Sequence, residues 1–375
     1  MKIVYCLNSI QEIGGISKVV KLKATQLGKL GHEVFIAVTD HDPDKFNEIP
    51  NYSIINLNIN YYKDDWKSKY HVLKGIFIKR LKHKRRLGIF LNKIQPDIVI
   101  SVGQSEKYFL PEIKGNWKTI REFHYDKQYR LRRAETFFHR VFAKIINLYD
   151  YKFKINQYDI IVVLTSKDRN LHWKNNPKVR VIPNPIPIDI FKISDLENQK
   201  ILAVGRLVKE KNFISLIRAF KKVVEINPGW ILHIYGEGEL KGLLEKEIIK
   251  HNLCDNVMLM NNHPAITTLM KDYSMFVMSS LYEGLPMAML EAMASGLPLI
   301  SYDCPYGPGQ LIKDGENGYL VPVNDEITLA EKICDLIKDY NGRKEMGRMS
   351  YIKAQKYNQE NVCDQWINLF KKLKN

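Results

Sequence analysis

Glu283 and Glu291 stand on either side of a turn written as strand, break, helix and exit: Tyr282-Glu-Gly-Leu-Pro-Met-Ala-Met-Leu-Glu-Ala-Met-Ala-Ser-Gly-Leu-Pro-Leu-Ile-Ser301. Carboxylates in such a place accept hydrogen bonds from hydroxyl groups. Met275–Met278 supplies the strand, and Gly284, Leu285 and Pro286 break it. Proline is tolerated in the first helical turn because its missing N–H would lack a partner there anyway. Gly296 closes the helix and Pro298 opens the exit. The N–H groups from Met287 onward then point out of the helix, where they attract an anion. A helix start for phosphate, bracketed by acceptors for hydroxyls, suits a ligand that carries both a diphosphate and sugars. Two glutamates at this spacing also occur as solvated acids on ordinary crossovers, so the neighbouring residues have to decide.

Cations sit at a second strand end. Lys200–Val204 reads as a strand, followed by Gly205-Arg206-Leu-Val-Lys-Glu-Lys211-Asn212. Asn212 is placed to cap a helix over Phe213–Glu225, whose Phe213, Leu216, Ile217, Phe220 and Val224 form one stripe. Arg206 and Lys211 are thereby held at a strand end and a helix mouth. Together they can neutralise a departing diphosphate, the arginine with paired N–H bonds and the lysine as a point charge. In a chain this basic, most such residues are plain surface cations.

Further candidates follow other strands. Gly14-Gly15 lies between the first strand and the first helix, where bare backbone can approach a ligand closely. A glycine pair is also a common turn. His124, in Arg121-Glu-Phe-His-Tyr-Asp126, lies just past another strand, where a lone histidine is more often structural than catalytic. Gly236, in Gly236-Glu-Gly238, and Asn262, in Asn261-Asn262-His263, occupy two more strand-end loops. Asp40-His-Asp-Pro-Asp44 contains an Asp-x-Asp pattern, but it follows the second strand and nothing else supports a metal. No metal site and no cofactor are expected.

These residues need a scaffold that gathers strand ends. Ile3–Leu7, Glu33–Val38, Asp97–Gly103, Trp117–Phe123 and Tyr158–Leu164 are apolar runs separated by helical material. Trp230–Tyr235, Asn256–Met260, Leu297–Ser301 and Gly318–Val321 continue the rhythm in the second half. Strands alternating with helices predict parallel sheets covered on both faces. Val179–Ile188, with three prolines, reads as a stiff connection between two domains. The expectation is an α/β chain of two Rossmann-like domains, 1–185 and 186–355, facing across a cleft at their strand ends.

The 375 residues suit two domains of roughly 150–200 residues each. A net charge of +16 points to a polyanionic partner. No helix-turn-helix, RNP-like or zinc pattern appears, so nucleic acid is not that partner. Five dispersed cysteines without paired spacing fit a reducing compartment. No run approaches the roughly 20 apolar residues that span a bilayer, and the opening residues read as a strand. The chain is expected in the cytoplasm, peripheral at the inner face of the membrane. Lys67–Phe90 is rich in lysine and arginine, carries interleaved apolar residues and has no acid. It suits an anionic membrane surface or a lipid-pyrophosphate acceptor, and equally a solvated helix over the sheet. Lys127, Arg130, Arg132, Arg133 and Arg140 extend the basic patch.

The Glu283-x7-Glu291 frame, with Glu-Ala-Met-Ala-Ser-Gly-Leu-Pro behind it, resembles the donor-site signature of retaining GT-B glycosyltransferases of family 4. The Gly205-Arg206-x4-Lys211 spacing is similar to that family's diphosphate clamp. The resemblance covers nearly the whole chain and is strongest from Lys200 to Val321. It implies transfer of a hexose from a nucleotide diphosphate sugar, UDP-linked, to a hydroxyl of a glycan acceptor that is lipid-pyrophosphate-linked. It implies that Glu283 holds donor-sugar hydroxyls and Glu291 the ribose, that His124 sits beside the donor sugar, and that Gly14 and Gly15 approach the donor. Gly236 and Asn262 fall in its nucleotide loops, and its last helix, here 356–375, completes the first domain. Asp303–Pro308 resembles a segment of members that build surface polysaccharides, except that Gly309-Gln310 replaces the usual charged residue. Two other readings stay open: a sugar-nucleotide epimerase on the same scaffold, and a non-catalytic basic module that binds membrane.

Overall fold

Apolar runs without alternation form strands buried on both faces, and such strands pair in parallel. The computed structural model describes residues 1–10, 15–40, 51–61, 69–125, 127–132, 134, 136–187, 191–263 and 265–374. The chain divides into two compact units, Met1–Pro185 with Gln359–Asn375, and Ile186–Asn358.

In the first unit the strands are β1 (Lys2–Leu7), β2 (Glu33–Val38), β3 (Ser53–Asn56), β4 (Ile98–Ser101), β5 (Lys118–Glu122), β6 (Ile160–Val163) and β7 (Val179–Val181). They form one parallel sheet in the order β3-β2-β1-β4-β5-β6-β7. Its helices are α1 (Gly15–Lys29), α2 (Lys69–Ile94), α3 (Tyr129–Arg132), α4 (Phe137–Tyr149) and α5 (Ser166–His172). Successive residues of β1 serve opposite faces, as the strand repeat requires. Ile3 and Tyr5 pack with Val20, Ala24 and Leu27 of α1, whereas Val4 and Cys6 pack with Leu87 and Leu91 of α2.

The second unit holds β8 (Lys200–Val204), β9 (Ile231–Tyr235), β10 (Val257–Met260), β11 (Met275–Met278), β12 (Leu299–Tyr302) and β13 (Gly318–Val321). Their order is β10-β9-β8-β11-β12-β13, all parallel. The helices are α6 (Phe213–Ile226), α7 (Lys241–Lys250), α8 (Ile266–Leu269), α9 (Met287–Ala294), α10 (Pro308–Leu311), α11 (Glu326–Lys338) and α12 (Tyr340–Ala354). Val223 of α6 takes the fully buried place in the stripe, and Val224 is only partly covered. The chain ends in α13 (Gln359–Lys374), which belongs to the first unit and lays Trp366 and Phe370 into its core.

Two strands depart from the sequence reading. β3 is a four-residue edge strand, too short to show a pattern. β7 lies inside the stretch read as a connection: Val179–Val181 pairs with β6, and Ile182 N–H still bonds the Val163 carbonyl at 3.1 Å. Pro183, with no N–H to offer, follows it.

Candidate active site at the carboxyl edge of the second sheet

The second sheet reverses its strand order between β8 and β11, the place where open α/β sheets bind ligands at their carboxyl edge. On the β8 side the turns are stacked. Gly205 N–H bonds the Tyr235 carbonyl at 2.9 Å, and Gly236 N–H bonds the Met260 carbonyl at 3.0 Å. A Cβ on Gly236 would stand 1.9 Å from the Gly205 carbonyl oxygen, so only glycine allows this approach. Arg206, Gly236 and Asn262 thus occur in a row of loops beyond β8, β9 and β10. Arg206 is exposed, and its guanidinium has no hydrogen bond or ion pair among the described residues.

Lys211 closes the turn after β8, and its stem passes over Gly205: a Cβ there would lie 3.1 Å from Cδ and Cε of the lysine. Its Nζ donates to Oε1 of Glu283, in the turn after β11. Ser280 Oγ donates to the same oxygen at 2.7 Å. Ser279 Oγ donates to the Lys211 carbonyl at 2.9 Å, and Leu281 N–H bonds the Glu210 carbonyl at 2.9 Å. The two turns are tied across the strand reversal by side chains and backbone together. Lys211 and Glu283 keep 21% and 14% of their side-chain surface, so the pair is screened yet reachable.

Beyond Glu283, Pro286 is the N-cap residue of α9, in extended conformation, and no side chain caps the helix. The N–H groups at Met287 and after therefore face outward beside Gly284 and Leu285. Glu291 lies one turn further in and is only 5% exposed. Residues 303–308 pack against this turn: Tyr306 bridges Glu283, and a Cβ on Gly307 would stand 2.5 Å from the Gly284 carbonyl oxygen. Burial, and then the charge of Glu283, push the Cys304 thiol up, which keeps it protonated and no nucleophile.

Asn212 is the N-cap residue of α6, as the sequence suggests, but its side chain makes no cap bond. Its backbone is left-handed at φ 50°, and its side chain donates to Asn324 Oδ1 at 3.0 Å instead. Lys211 is bonded to Glu283, not held apart from it as separate roles would suggest.

Gly15 and His124 belong to the first unit. Gly15 begins α1, while Gly14 lies outside the described residues, as do residues 41–44 of the Asp-x-Asp stretch. His124 follows β5 with its side chain 4% exposed and Nε2 3.1 Å from Glu122 Oε1. Glu122 in turn receives Lys23 Nζ at 2.5 and 2.6 Å. Burial alone would raise the Glu122 carboxyl, but Lys23 and then His124 outweigh it and hold it at about 2.

Sequence reasoning missed Ser279, Ser280, Lys23 and Glu122. Lys23 left a signal, a lysine in the apolar stripe of Val19, Val20, Ala24 and Leu27. Among the described residues no group of histidine, cysteine and carboxylate side chains could hold a metal, and no helix is long and apolar enough to cross a membrane.

Two family models meet along the chain: residues 13–190 match Glycosyltransferase Family 4, and residues 188–353 match Glycosyl transferases group 1. The chain belongs to the GT-B glycosyltransferases of the family 4 type. It is 26% identical over 373 residues to an uncharacterised glycosyltransferase of Haemophilus influenzae, covering 97% of this chain and 98% of that one. It is 33% identical over 222 residues to an exopolysaccharide phosphotransferase of Streptomyces coelicolor, covering 57% of this chain and 23% of that protein. Several relatives are thus matched over less than two thirds of their length. Two solved structures share the fold. TarM superposes with a TM-score of 0.80 at 18% identity, covering 98% of both chains. The pneumococcal O-GlcNAc transferase GtfA, in complex with UDP and GlcNAc, does so at 0.75 and 17% identity over 99% of both.

Proposed function

We propose that this chain is a retaining, metal-independent hexosyltransferase. It takes a sugar from a UDP-linked donor and passes it to a hydroxyl of a lipid-linked glycan acceptor in surface-polysaccharide assembly, in the cytoplasm at the membrane face. The observation that carries the reading is the bond between Lys211 and Glu283 at the strand reversal of one sheet, with Glu283 just ahead of the start of α9 and the exposed Arg206 on the same turn as Lys211. Cations, a helix N-terminus and a carboxylate at one sheet edge fit a sugar diphosphate better than either part alone. The UDP in the GtfA complex supports a uridine donor.

A lysine ammonium has three donors, so Lys211 can keep Glu283 and still serve a phosphate oxygen. Arg206, its guanidinium unengaged among the described residues, takes the diphosphate in paired bonds. Glu283 accepts from donor-sugar hydroxyls, Glu291 serves the ribose, and the Gly236 and Asn262 loops serve the nucleotide. In the first unit, His124 orients a sugar hydroxyl, and Gly14 and Gly15 offer backbone N–H groups. The anomeric carbon's bond to the diphosphate oxygen breaks while the acceptor oxygen bonds that carbon from the same face. The acceptor proton leaves with the departing phosphate, so the chain needs no nucleophile of its own.

Purified protein given UDP-sugars at about 1 mM, the weakest binding worth counting, is the test. The expected result is slow donor hydrolysis that is insensitive to EDTA, and transfer with the donor's anomeric configuration kept. Binding of no sugar nucleotide overturns the reading. Sugar interconversion without any acceptor would replace it with the epimerase.

A further inference from the structure

A surface helix of a globular protein ordinarily turns its apolar stripe inward and its charges to water. α4 does the reverse. Inward it presents Ala143, while Asn147 donates to the Lys127 carbonyl at 3.2 Å. Asp150, just beyond its last turn, accepts from Arg130 at 2.8 Å and Tyr108 at 3.1 Å. Outward it presents Phe137, Phe138, Phe142, Ile145, Leu148 and Tyr149, with Phe137 76% and Phe138 82% exposed. At 3.6 residues per turn these fill an arc of roughly 140°. The helix is anchored by polar bonds and leaves its apolar side uncovered, the pattern of an interaction surface.

Charge says what covers it. Arg140 and Lys144 border the arc, and no acid lies between Thr136 and Asp150. Beside the helix opens a cleft of about 1130 Å³ whose wall includes Lys127, Lys144, Lys152, Lys174 and Lys178, with no carboxylate among its lining residues. Lys178 is held by the carbonyls of Asn156 and Tyr158, and Lys127 lies over the rings of Tyr151 and Trp173. A second copy of a +16 chain seated on this face would set like charges against each other. An anionic lipid surface meets both features at once.

We infer that α4 lies in the surface of an anionic membrane, its phenylalanines at the acyl boundary and Lys144, Lys152 and Lys174 of the cleft against lipid phosphates. The expected site was Lys67–Phe90. In the described part of α2, however, Lys79 is bonded to the Asn60 carbonyl, Lys84 to Glu112 and Arg86 to the carbonyls of Leu57 and Asn58. Arg80 stacks on Tyr108 at 4.3 Å. Those four cations are engaged within the unit, while α2 still exposes Phe77, Ile78, Leu81 and Ile89 beside Lys82 and Arg85, and α4 carries the larger apolar face of the two.

The test is co-sedimentation of the full chain with vesicles of phosphatidylcholine alone or with about a third phosphatidylglycerol. The wild type binds the anionic vesicles, less tightly as salt rises. Phe138→Ser/Phe142→Ser, at exposed positions, keeps its melting temperature and its donor hydrolysis but binds about tenfold more weakly or worse. Lys144→Glu binds several-fold more weakly. Equal binding to both vesicle types, or undiminished binding by the double variant, overturns the inference. So does a wild-type dimer in light scattering that the double variant dissociates without losing vesicle binding.

Discussion

Lys211 and Glu283, 72 positions apart, are bonded across the point where the second sheet reverses its strand order. The pair joins the cation proposed for the leaving diphosphate to the carboxylate proposed for the sugar. Only partly buried, it adds little to stability, about 1 kcal/mol. Lys211→Ala should therefore leave the melting temperature almost unchanged and lower kcat about a hundredfold or more. Glu283→Gln should do the same, and the double variant should lose less than the sum of the two, because they act on one group. Additive losses would mean that the residues work apart.

Arg206 makes the complementary prediction. With its guanidinium exposed and unengaged among the described residues, Arg206→Ala should alter stability by less than about 0.5 kcal/mol. Its effect belongs in ligand binding: the Kd for UDP, measured by calorimetry, should rise at least tenfold. Arg206→Lys should recover only part, since an ammonium cannot give paired bonds to a diphosphate. An unchanged Kd would take Arg206 out of the site.

Much of this was legible in the chain, for identifiable reasons. Lys200–Val204, Met275–Met278 and Gly318–Val321 were read with the bounds they have, because two-sided burial writes itself as an unbroken apolar run. The candidate residues at strand ends were visible as types and spacing. Their partnerships were not: Lys211 finds Glu283, and Lys23 finds Glu122, through tertiary folding that local spacing does not encode. The outward turn of α4 was hidden for another reason. Phe-Phe-x-x-Val-Phe-x-x-Ile-Ile reads as a stripe that ordinarily faces a core, and only the clasp of Asp150 by Arg130 and Tyr108 shows that it faces away.

The glycines of the site separate into two kinds. A Cβ on Gly236 would collide with the Gly205 carbonyl oxygen, a backbone atom that cannot step aside. Gly236→Ala should thus destabilise by about 1–3 kcal/mol, read as a lower urea midpoint. A Cβ on Gly205 would meet only the flexible stem of Lys211. Gly205→Ala should keep the midpoint and weaken donor turnover by displacing Nζ. If both variants behave alike in the two measurements, the stacking of these turns has been misjudged.

The buried trio Lys23, Glu122 and His124 yields a dependence on pH. The Glu122 carboxyl, at about 2 in the folded chain, lies below its unfolded value. Its contribution, roughly 3 kcal/mol, is therefore full above about pH 5 and lost as the pH falls through the carboxylate range toward the folded value. Glu122→Gln should flatten that acid limb in urea titrations. Lys23→Met leaves a buried carboxylate facing His124 alone and should lower stability at neutral pH by about 3–5 kcal/mol. Its acid limb should also move to higher pH, because without the ammonium the carboxylate takes up a proton sooner. Joining the two substitutions removes the stranded charge and should restore part of the loss. A Lys23→Met protein as stable as the wild type, with the same acid limb, would mean that Lys23 does not hold Glu122 ionised.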